Sequence, residues 1–514
     1  MKKTILPLLL ACGLLTLGSC EKDLNQAPIS SGSVPTFYRT ADDFTQAVNS
    51  VYSSLRDYPD RLYTMSETRS DNIYGVSSQG IRTWEPINNF ATTIASNEYP
   101  DASWSSAFTG VFRANVVLDQ LSKNGSVLTE ATRNRMEGEA RFLRAFFYLD
   151  LVRNFGKVPL IDRPLEPQEV AEIPRTPVAQ VYDLIISDLK TAVTKLPATY
   201  PAADLGRATS GAAKGILALT YMTRSGPTYG IEGPGLGTND YAEALRLLDE
   251  IISSGTYSLI TAAGTAPSAY ANVFSYTNEN NREVLFDVQY LSGGTGLGAS
   301  YPSILLTNNY FQSIGAGTGF GTGDELRPAS ENLVSSFATG DTRKAQALQV
   351  GYTTTTTPVA VENRTAIKKY VNGALRGTSR TDWPINFIVL RYADILLLKA
   401  EALLKSGGSQ ATVDALVKQV RDRAGLAASP LTGVTLPQLM EERRREFVGE
   451  GLRWHDLVRS GLALTVMNAW IPAQEPNPQT RRMRFPLNAN DLIYPVPQDE
   501  LAASSYRYEQ NPGY

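Results

Sequence analysis

The chain holds few residues that could perform catalysis. Its single histidine, His455, lies in the run Arg453-Trp454-His455-Asp456, and its two cysteines are Cys12 and Cys20. Serine-type hydrolysis needs a histidine beside an activated nucleophile, and no Gly-x-Ser-x-Gly sequence is present. Zinc sites gather several histidine and cysteine ligands. The sequence therefore predicts no catalytic residue, no metal centre and no cofactor, and it predicts a packing role for His455.

Carboxylate chemistry is the remaining catalytic possibility. Glycoside hydrolysis uses two carboxylates about 5–9.5 Å apart, and the 51 acidic residues allow such a pair by chance. No sequence feature marks any pair, so a surface glycoside hydrolase stays open as the less favoured alternative. The 48 basic residues nearly balance the acidic ones. This balance argues against nucleic-acid binding, because that function leaves a basic excess.

Aromatic residues set among polar ones offer binding chemistry instead. The chain has 25 tyrosines, 17 phenylalanines and 5 tryptophans, and several lie among Asn, Asp, Ser and Arg in residues 58–104. An aromatic ring covers the C–H face of a sugar while Asn, Asp and Arg bond its hydroxyl groups. Peptides suit the same groups, and loop packing is the structural alternative for each residue. The predicted ligand-binding residues are Asp71, Asn72, Tyr74, Arg82, Trp84, Tyr290, Tyr301 and Trp383.

Helices must position these residues, because apolar side chains recur at helical spacing along much of the chain. The segment 137–155 is apolar on two faces, which is typical of a helix enclosed by neighbours. A last helix is predicted over 436–458, and its charge run at 443–446 predicts a solvated or ion-paired face. The predicted helical hairpins pair 210–223 with 241–253 and 392–405 with 412–423.

Long irregular stretches separate these helices. Residues 225–239 are rich in Gly and Pro, and residues 291–323 are rich in Gly with Tyr301, Tyr310 and Phe311 between. Loops of this length are usually functional or disordered, and disordered segments have few aromatics. The sequence thus predicts a mainly α fold, in which a tetratricopeptide-like scaffold of helical hairpins carries long irregular loops that form the ligand-binding half.

The N-terminus has the features of an export signal. Lys2 and Lys3 precede an apolar stretch over 5–17, which leads into Leu17-Gly18-Ser19-Cys20. That stretch is shorter than the ~20 residues needed to span a bilayer, so it is typical of a cleaved signal peptide. Small residues before a cysteine are typical of a lipoprotein signal. We expect residues 1–19 to be removed, Cys20 to carry lipid, and residues 20–37 to form a tether.

Several segments match one family in their order and spacing. They are Cys20 followed by acidic Glu21 and Asp23, WSSAFTGVFRANVVL at 104–118, EARFLRAFFYLDLVRNFGKVPL at 139–160, RYADILLLKAEA at 391–402, ERRREFVGEGLRWHDL at 442–457, and the ending YPVPQ at 494–498 with QNPGY at 510–514. With these segments the chain resembles the SusD/RagB family of nutrient-binding outer-membrane lipoproteins.

The resemblance implies a lipid-anchored protein of the outer membrane that faces outward and is not an enzyme. It implies capture of a glycan or oligosaccharide and delivery to a TonB-dependent, SusC-like transporter, with a peptide-binding member of the family as the alternative. It also implies a SusD-like helical region over 38–255 and a SusD/RagB-like region over 256–514, with loop-rich ligand-binding insertions and closing helices. The family's motifs specify no ligand residues, so the eight binding residues rest on composition and position alone.

Overall fold

The computed structural model describes residues 37–75, 82–321, 323, 326–354 and 359–514. The predicted signal peptide, Cys20 and the tether up to residue 36 lie outside these ranges. The α-helices within them are α1 (Ala41–Ser53), α2 (Tyr58–Leu62), α3 (Glu85–Asn88), α4 (Glu98–Asn124), α5 (Glu130–Phe155), α6 (Pro167–Val170), α7 (Val178–Lys195), α8 (Ser210–Arg224), α9 (Tyr241–Ser253), α10 (Ala269–Val273), α11 (Asn308–Ser313), α12 (Glu331–Ser336), α13 (Thr342–Ala347), α14 (Tyr392–Ser406), α15 (Gln410–Arg423), α16 (Leu436–Phe447), α17 (Arg453–Ser460), α18 (Ala463–Gln474) and α19 (Gln498–Ala503).

Short strands accompany the helices. Within the described ranges they form three two-stranded antiparallel sheets, which pair β1 with β2, β3 with β6 and β4 with β5. The strands are β1 (Val158–Pro159), β2 (Arg175–Thr176), β3 (Val284–Val288), β4 (Leu348–Thr353), β5 (Val361–Ile367) and β6 (Phe387–Arg391).

Helix α5 illustrates how the sequence sets one element. The Thr129 side chain accepts a hydrogen bond from the Thr132 N–H and so caps the first turn. Gly156 ends the helix with a φ of +68°, a value that glycine adopts without strain. Buried residues lie on all sides of its second half, and α5 packs between α4 and α7. The prediction of a helix enclosed by its neighbours is confirmed.

The long helices pack one after another in a row. Helix α4 packs on α5, α5 on α7, α7 on α8, α8 on α9, α9 on α14, and α14 on α15. The two predicted hairpins are α8 with α9 and α14 with α15. The mainly α, tetratricopeptide-like fold is therefore confirmed. Helix α9 precedes the predicted domain boundary at residue 255 and α14 follows it, and these two helices pack against each other. The boundary itself stays a prediction.

The prediction of one continuous helix over 436–458 is wrong, because a turn interrupts the helix between α16 and α17. Gly449 and Gly451 have φ values of +73° and +72°, which a right-handed helix does not contain. Their N–H groups donate to the two carboxylate oxygens of Glu67 at 2.9 and 3.0 Å. The buried Glu67 thus holds a tight turn inside a segment whose apolar spacing suggested one helix.

The charge run on α16 was predicted to be either solvated or ion-paired. The structure shows that it is ion-paired and buried. Glu446 lies 2.7 Å from Arg391 and 3.1 Å from Arg343, and it also pairs with Arg423. Burial would raise the pKa of Glu446, but Arg423, Arg391 and Arg343 outweigh it and hold this pKa well below its ordinary value. Since each charge faces an opposite one, the fold keeps these groups ionised inside the protein.

One sheet positions two of the long loops. Strands β3 and β6 pair antiparallel with Val288 opposite Phe387, so the chain leaving β3 and the chain entering β6 emerge side by side. The first continues into residues 289–300 and the second arrives from residues 372–386. Helix α8 packs against β3, which fixes this end of the sheet to the helical row. No helix in the described part of the chain is long and apolar enough to cross a membrane.

Candidate functional site

Two of the predicted binding residues, Asp71 and Asn72, lie inside the scaffold. Asp71 accepts hydrogen bonds from Arg453 at 2.8 and 2.9 Å and lies 3.2 Å from Arg444. Asn72 accepts from the Arg444 Nε at 2.8 Å and donates to Glu67 at 2.9 Å. Burial would raise the pKa of Asp71, but the two arginines outweigh it and lower this pKa to about 2. These polar groups therefore join the N-terminal region to α16 and α17 instead of facing a ligand.

The next three predicted residues differ in exposure. Trp84 is buried, with the Arg327 guanidinium 5.1 Å from its ring centre. Tyr74 is half-buried and donates its hydroxyl to Glu475 at 3.2 Å. Arg82 is half-buried at the start of the segment that leads into Trp84. Tyr74 and Arg82 thus reach the surface, while Trp84 packs beneath it.

The three later aromatics form a floor under the loops that leave sheet β3–β6. Tyr301 is buried and donates its hydroxyl to the carbonyls of residues 385 and 386 at 3.1 and 2.9 Å. Tyr290 packs on Tyr301 with ring centres 5.8 Å apart. Trp383 is fully buried and donates its Nε1–H to the Ser303 hydroxyl at 2.9 Å. Tyr301 and Trp383 therefore support the loops from below, whereas Tyr290 is half-buried and reaches the surface.

Those other side chains form a surface that we call the loop face. Its aliphatic members are Leu291, Leu297, Ile314 and Leu375, with exposed fractions of 59%, 46%, 40% and 44%. The remaining members are Phe320, which is half-buried, and Arg376, whose guanidinium lies 5.3 Å from the Phe320 ring centre. Underneath, Phe320 packs edge-on against Trp383 at 5.9 Å. Exposed apolar side chains carried on neighbouring loops are typical of a binding surface.

The loops that carry this face are held together by one carboxylate. Asp382 accepts hydrogen bonds from the Gly293 N–H at 3.1 and 3.2 Å and from the Gly294 N–H at 3.2 Å. It also accepts from the Thr378 N–H at 3.0 Å and the Thr378 hydroxyl at 2.7 Å. The bonds from Thr378, followed by those from the glycines, lower the pKa of Asp382 to about 2. An ionised Asp382 therefore ties loop 291–298 to loop 376–382.

A second anchor orders the other glycine-rich loop. The Asn308 side-chain oxygen accepts from the N–H groups of Gly319 and Gly321 at 3.0 and 2.9 Å, so it fixes the residues on both sides of Phe320. The loop face is also joined to the N-terminal region, since Arg56 donates to the Gly296 carbonyl and Ser300 donates to Asp60. Rigid loops reduce the entropy that is lost when a ligand binds.

Comparison with known proteins identifies the family. The family model of the SusD family matches residues 341–514, and a related model, described as starch-binding and associating with the outer membrane, matches residues 27–222. The chain belongs to the SusD family. The SusD-like protein P2 of Formosa agariphila is 27% identical, with 98% of each chain covered.

Solved structures of other SusD-like proteins share the fold. The surface glycan-binding protein A from Bacteroides uniformis is 25% identical with a TM-score of 0.74, and the match covers 92% of this chain and all of that one. A laminarin-binding SusD-like protein is 26% identical with a TM-score of 0.72, covering 93% of this chain and all of that one. Both relatives are therefore similar along nearly their entire length.

Sequence reasoning did not identify the exposed members of the loop face in this SusD-family protein. Leu291, Leu297, Ile314 and Leu375 are aliphatic residues that a sequence assigns to a core, and Arg376 lies in no recognisable motif. The alternation of Gly with other residues around Phe320 was the one sequence feature that could have indicated exposed side chains. Loops lie at the surface, so a loop of this kind leaves some of its large side chains in solvent.

The lone histidine packs inside the fold, as predicted, but the expectation that its polar atoms are hydrogen-bonded holds only in part. His455 is buried, and burial followed by the neighbouring Arg153 and Arg459 lowers its pKa well below the ordinary value. Its Nε2 atom has no hydrogen-bond partner among the described residues. No group of three or more metal-ligating side chains occurs in that part of the chain either.

Proposed function

We propose that this SusD-family protein binds a glycan at the loop face and delivers it, uncleaved, to a transporter in the outer membrane. The observation that carries the proposal is the loop face itself: the half-buried Phe320 ring and four exposed aliphatic side chains lie on loops that Asp382 and Asn308 hold in place. Phe320 supplies a ring for one sugar face, and Arg376 supplies donors for hydroxyl groups.

The family supports the class of ligand. The two solved relatives are a glycan-binding and a laminarin-binding protein by name. A capture protein must also release its ligand, and micromolar to millimolar affinity corresponds to about 4–8 kcal/mol. One aromatic platform with several hydrogen bonds can supply this free energy.

Binding is tested with the protein starting after Cys20 and with laminarihexaose as the first probe in a panel of oligosaccharides. We expect Phe320→Ala to weaken binding by roughly tenfold or more, since burying a phenylalanine side chain contributes about 1.5–3 kcal/mol. The matched control is Phe112→Ala, which removes a 52% exposed ring from helix α4 and should leave the affinity unchanged. Equal affinities for the wild type and Phe320→Ala, measured by titration calorimetry, would remove the loop face as the site.

A peptide is the second candidate ligand, because four aliphatic side chains accompany the single phenylalanine on the loop face. Aliphatic pockets favour peptide side chains, whereas sugars favour aromatic rings. A peptide panel in the same calorimeter decides between the two classes. Release of new reducing ends from any glycan would instead support the hydrolase alternative.

Anchoring and partnership complete the proposal. We propose that Cys20 carries the lipid, that the protein faces outward, and that its partner is a TonB-dependent, SusC-like transporter. Cys20→Ser should abolish incorporation of labelled palmitate and release the protein from the outer-membrane fraction. Affinity purification of the anchored protein should recover a transporter barrel, and its repeated absence after cross-linking would contradict the partnership.

A further inference from the structure

A concave surface lies beside strand β3. It consists of two adjoining cavities of about 260 Å³ each, and both are lined by Leu205, Gly206, Arg207 and Asp287. We call this surface the edge groove. Together the two cavities reach the size range of small-ligand sites, which begins near 300 Å³.

The walls of the edge groove are fixed by hydrogen bonds. Arg207 donates to Asn49 and Glu139, each at 2.9 Å, and so holds the loop that separates the two cavities. The Tyr52 hydroxyl accepts from the Ala208 N–H at 2.9 Å. The Tyr257 hydroxyl lies 2.9 Å from the Thr209 hydroxyl. Aromatic rings therefore line both cavities in set positions, Tyr52 in one and Tyr257 in the other.

A row of amide and carboxyl groups runs along the groove. The Gln289 side-chain nitrogen donates to Asp287 at 2.6 Å and to Asn280 at 2.9 Å. Asp287 is only 4% exposed, and it has no ion-pair partner among the described residues, unlike Glu446. Burial raises the pKa of Asp287 to about 7. Amide and carboxyl groups are hydrogen-bonding partners for the hydroxyl groups of a sugar.

The edge groove adjoins the loop face. Arg56 lines one of the cavities, and the same side chain donates to the Gly296 carbonyl within loop 291–298. An extended ligand that lies on the loop face can therefore continue past Arg56 into the groove.

We infer that the edge groove is a second saccharide-binding site, which takes sugar units of a chain whose other units lie on the loop face. The inference rests on the proposed function and extends it, because it assigns a second site that the loop face alone does not require.

The test uses two groove substitutions together, Asn280→Gly and Gln289→Ala. Glycine suits position 280, where φ is +51°, so the backbone keeps its conformation. Gln410→Ala is the matched control, because it removes an exposed glutamine from α15 that also bonds an aspartate, Asp414. Hydrogen exchange and calorimetry are measured with laminarihexaose, cellohexaose and maltohexaose.

We expect a hexasaccharide to slow exchange in residues 198–209 and 280–289 of the wild type. The groove variant should lose this protection and bind at least about fivefold more weakly, while Gln410→Ala behaves as the wild type. Protection of loop 291–298 alone, with an unchanged affinity of the groove variant, overturns the inference and leaves the proposed function intact. If the hexasaccharide still slows exchange in the groove segments of Phe320→Ala and binds this variant with wild-type affinity, the groove is supported as a binding site and the loop face is overturned as one. Binding of none of the three probes by the wild type overturns both.

Discussion

Asp382 should control ligand affinity without touching the ligand. Its carboxylate accepts from four donor groups, which are the N–H groups of Gly293, Gly294 and Thr378 and the Thr378 hydroxyl. In Asp382→Asn one oxygen is replaced by an NH₂ group that faces donors, so about half of these bonds are lost. At about 1 kcal/mol net for each bond, the ordered form of the two loops is destabilised by roughly 2 kcal/mol.

This destabilisation must be overcome when a ligand orders the loops again. Since about 1.4 kcal/mol corresponds to a tenfold change in affinity, we expect Asp382→Asn to bind laminarihexaose up to about 30-fold more weakly. Calorimetry measures the affinity, and hydrogen exchange of residues 291–298 measures the loop order. Asp414→Asn is the matched control, because Asp414 also holds a turn, through the N–H groups of Gly433 and Val434 at 2.8 and 3.0 Å, and should leave binding unchanged.

Two results would refute this reasoning. Faster exchange in loop 291–298 with wild-type affinity would mean that rigidity of these loops is not needed for binding. Unchanged exchange would mean that the carboxylate is not the anchor that its four bonds suggest.

Further perturbations separate the scaffold from the site. Glu446→Gln should lower the free energy of unfolding by about 3–5 kcal/mol, because it removes a buried carboxylate that Arg343, Arg391 and Arg423 share. In urea titration, Arg246→Ala, at an exposed ion pair, should change this free energy by under about 1 kcal/mol. Asp71 has a pKa of about 2 in the fold against about 3.9 in the unfolded chain. Its contribution of up to about 2–3 kcal/mol to the free energy of unfolding is therefore present above pH 4 and lost as the pH falls through 2. Asp71→Asn should flatten that part of the curve of stability against pH, and an unaltered curve would contradict the ion-pair argument. Trp84→Ala should lower the melting temperature, because truncating a buried tryptophan costs about 3–5 kcal/mol; an unchanged melting temperature with weakened binding would instead support the direct ligand role that the sequence suggested.

The scaffold could be predicted from the sequence because its determinants are local. Apolar residues at helical spacing define α8, α9, α14 and α15, and short connections make sequential helices neighbours. The same reasoning failed between α16 and α17, since a helical period does not reveal that Glu67, nearly four hundred residues earlier in the chain, captures the N–H groups of Gly449 and Gly451.

The ligand residues needed the tertiary structure, because a residue type does not fix its exposure. Tyr301 and Trp383 are the kind of residue that binds sugars, yet packing between the loops and sheet β3–β6 buries both. Leu291 and Leu375 are the kind that fills a core, yet glycine-rich loops hold them in solvent. Chain composition thus determined that aromatic loops rest on paired helices, whereas long-range packing alone decided which side chains those loops turn outward.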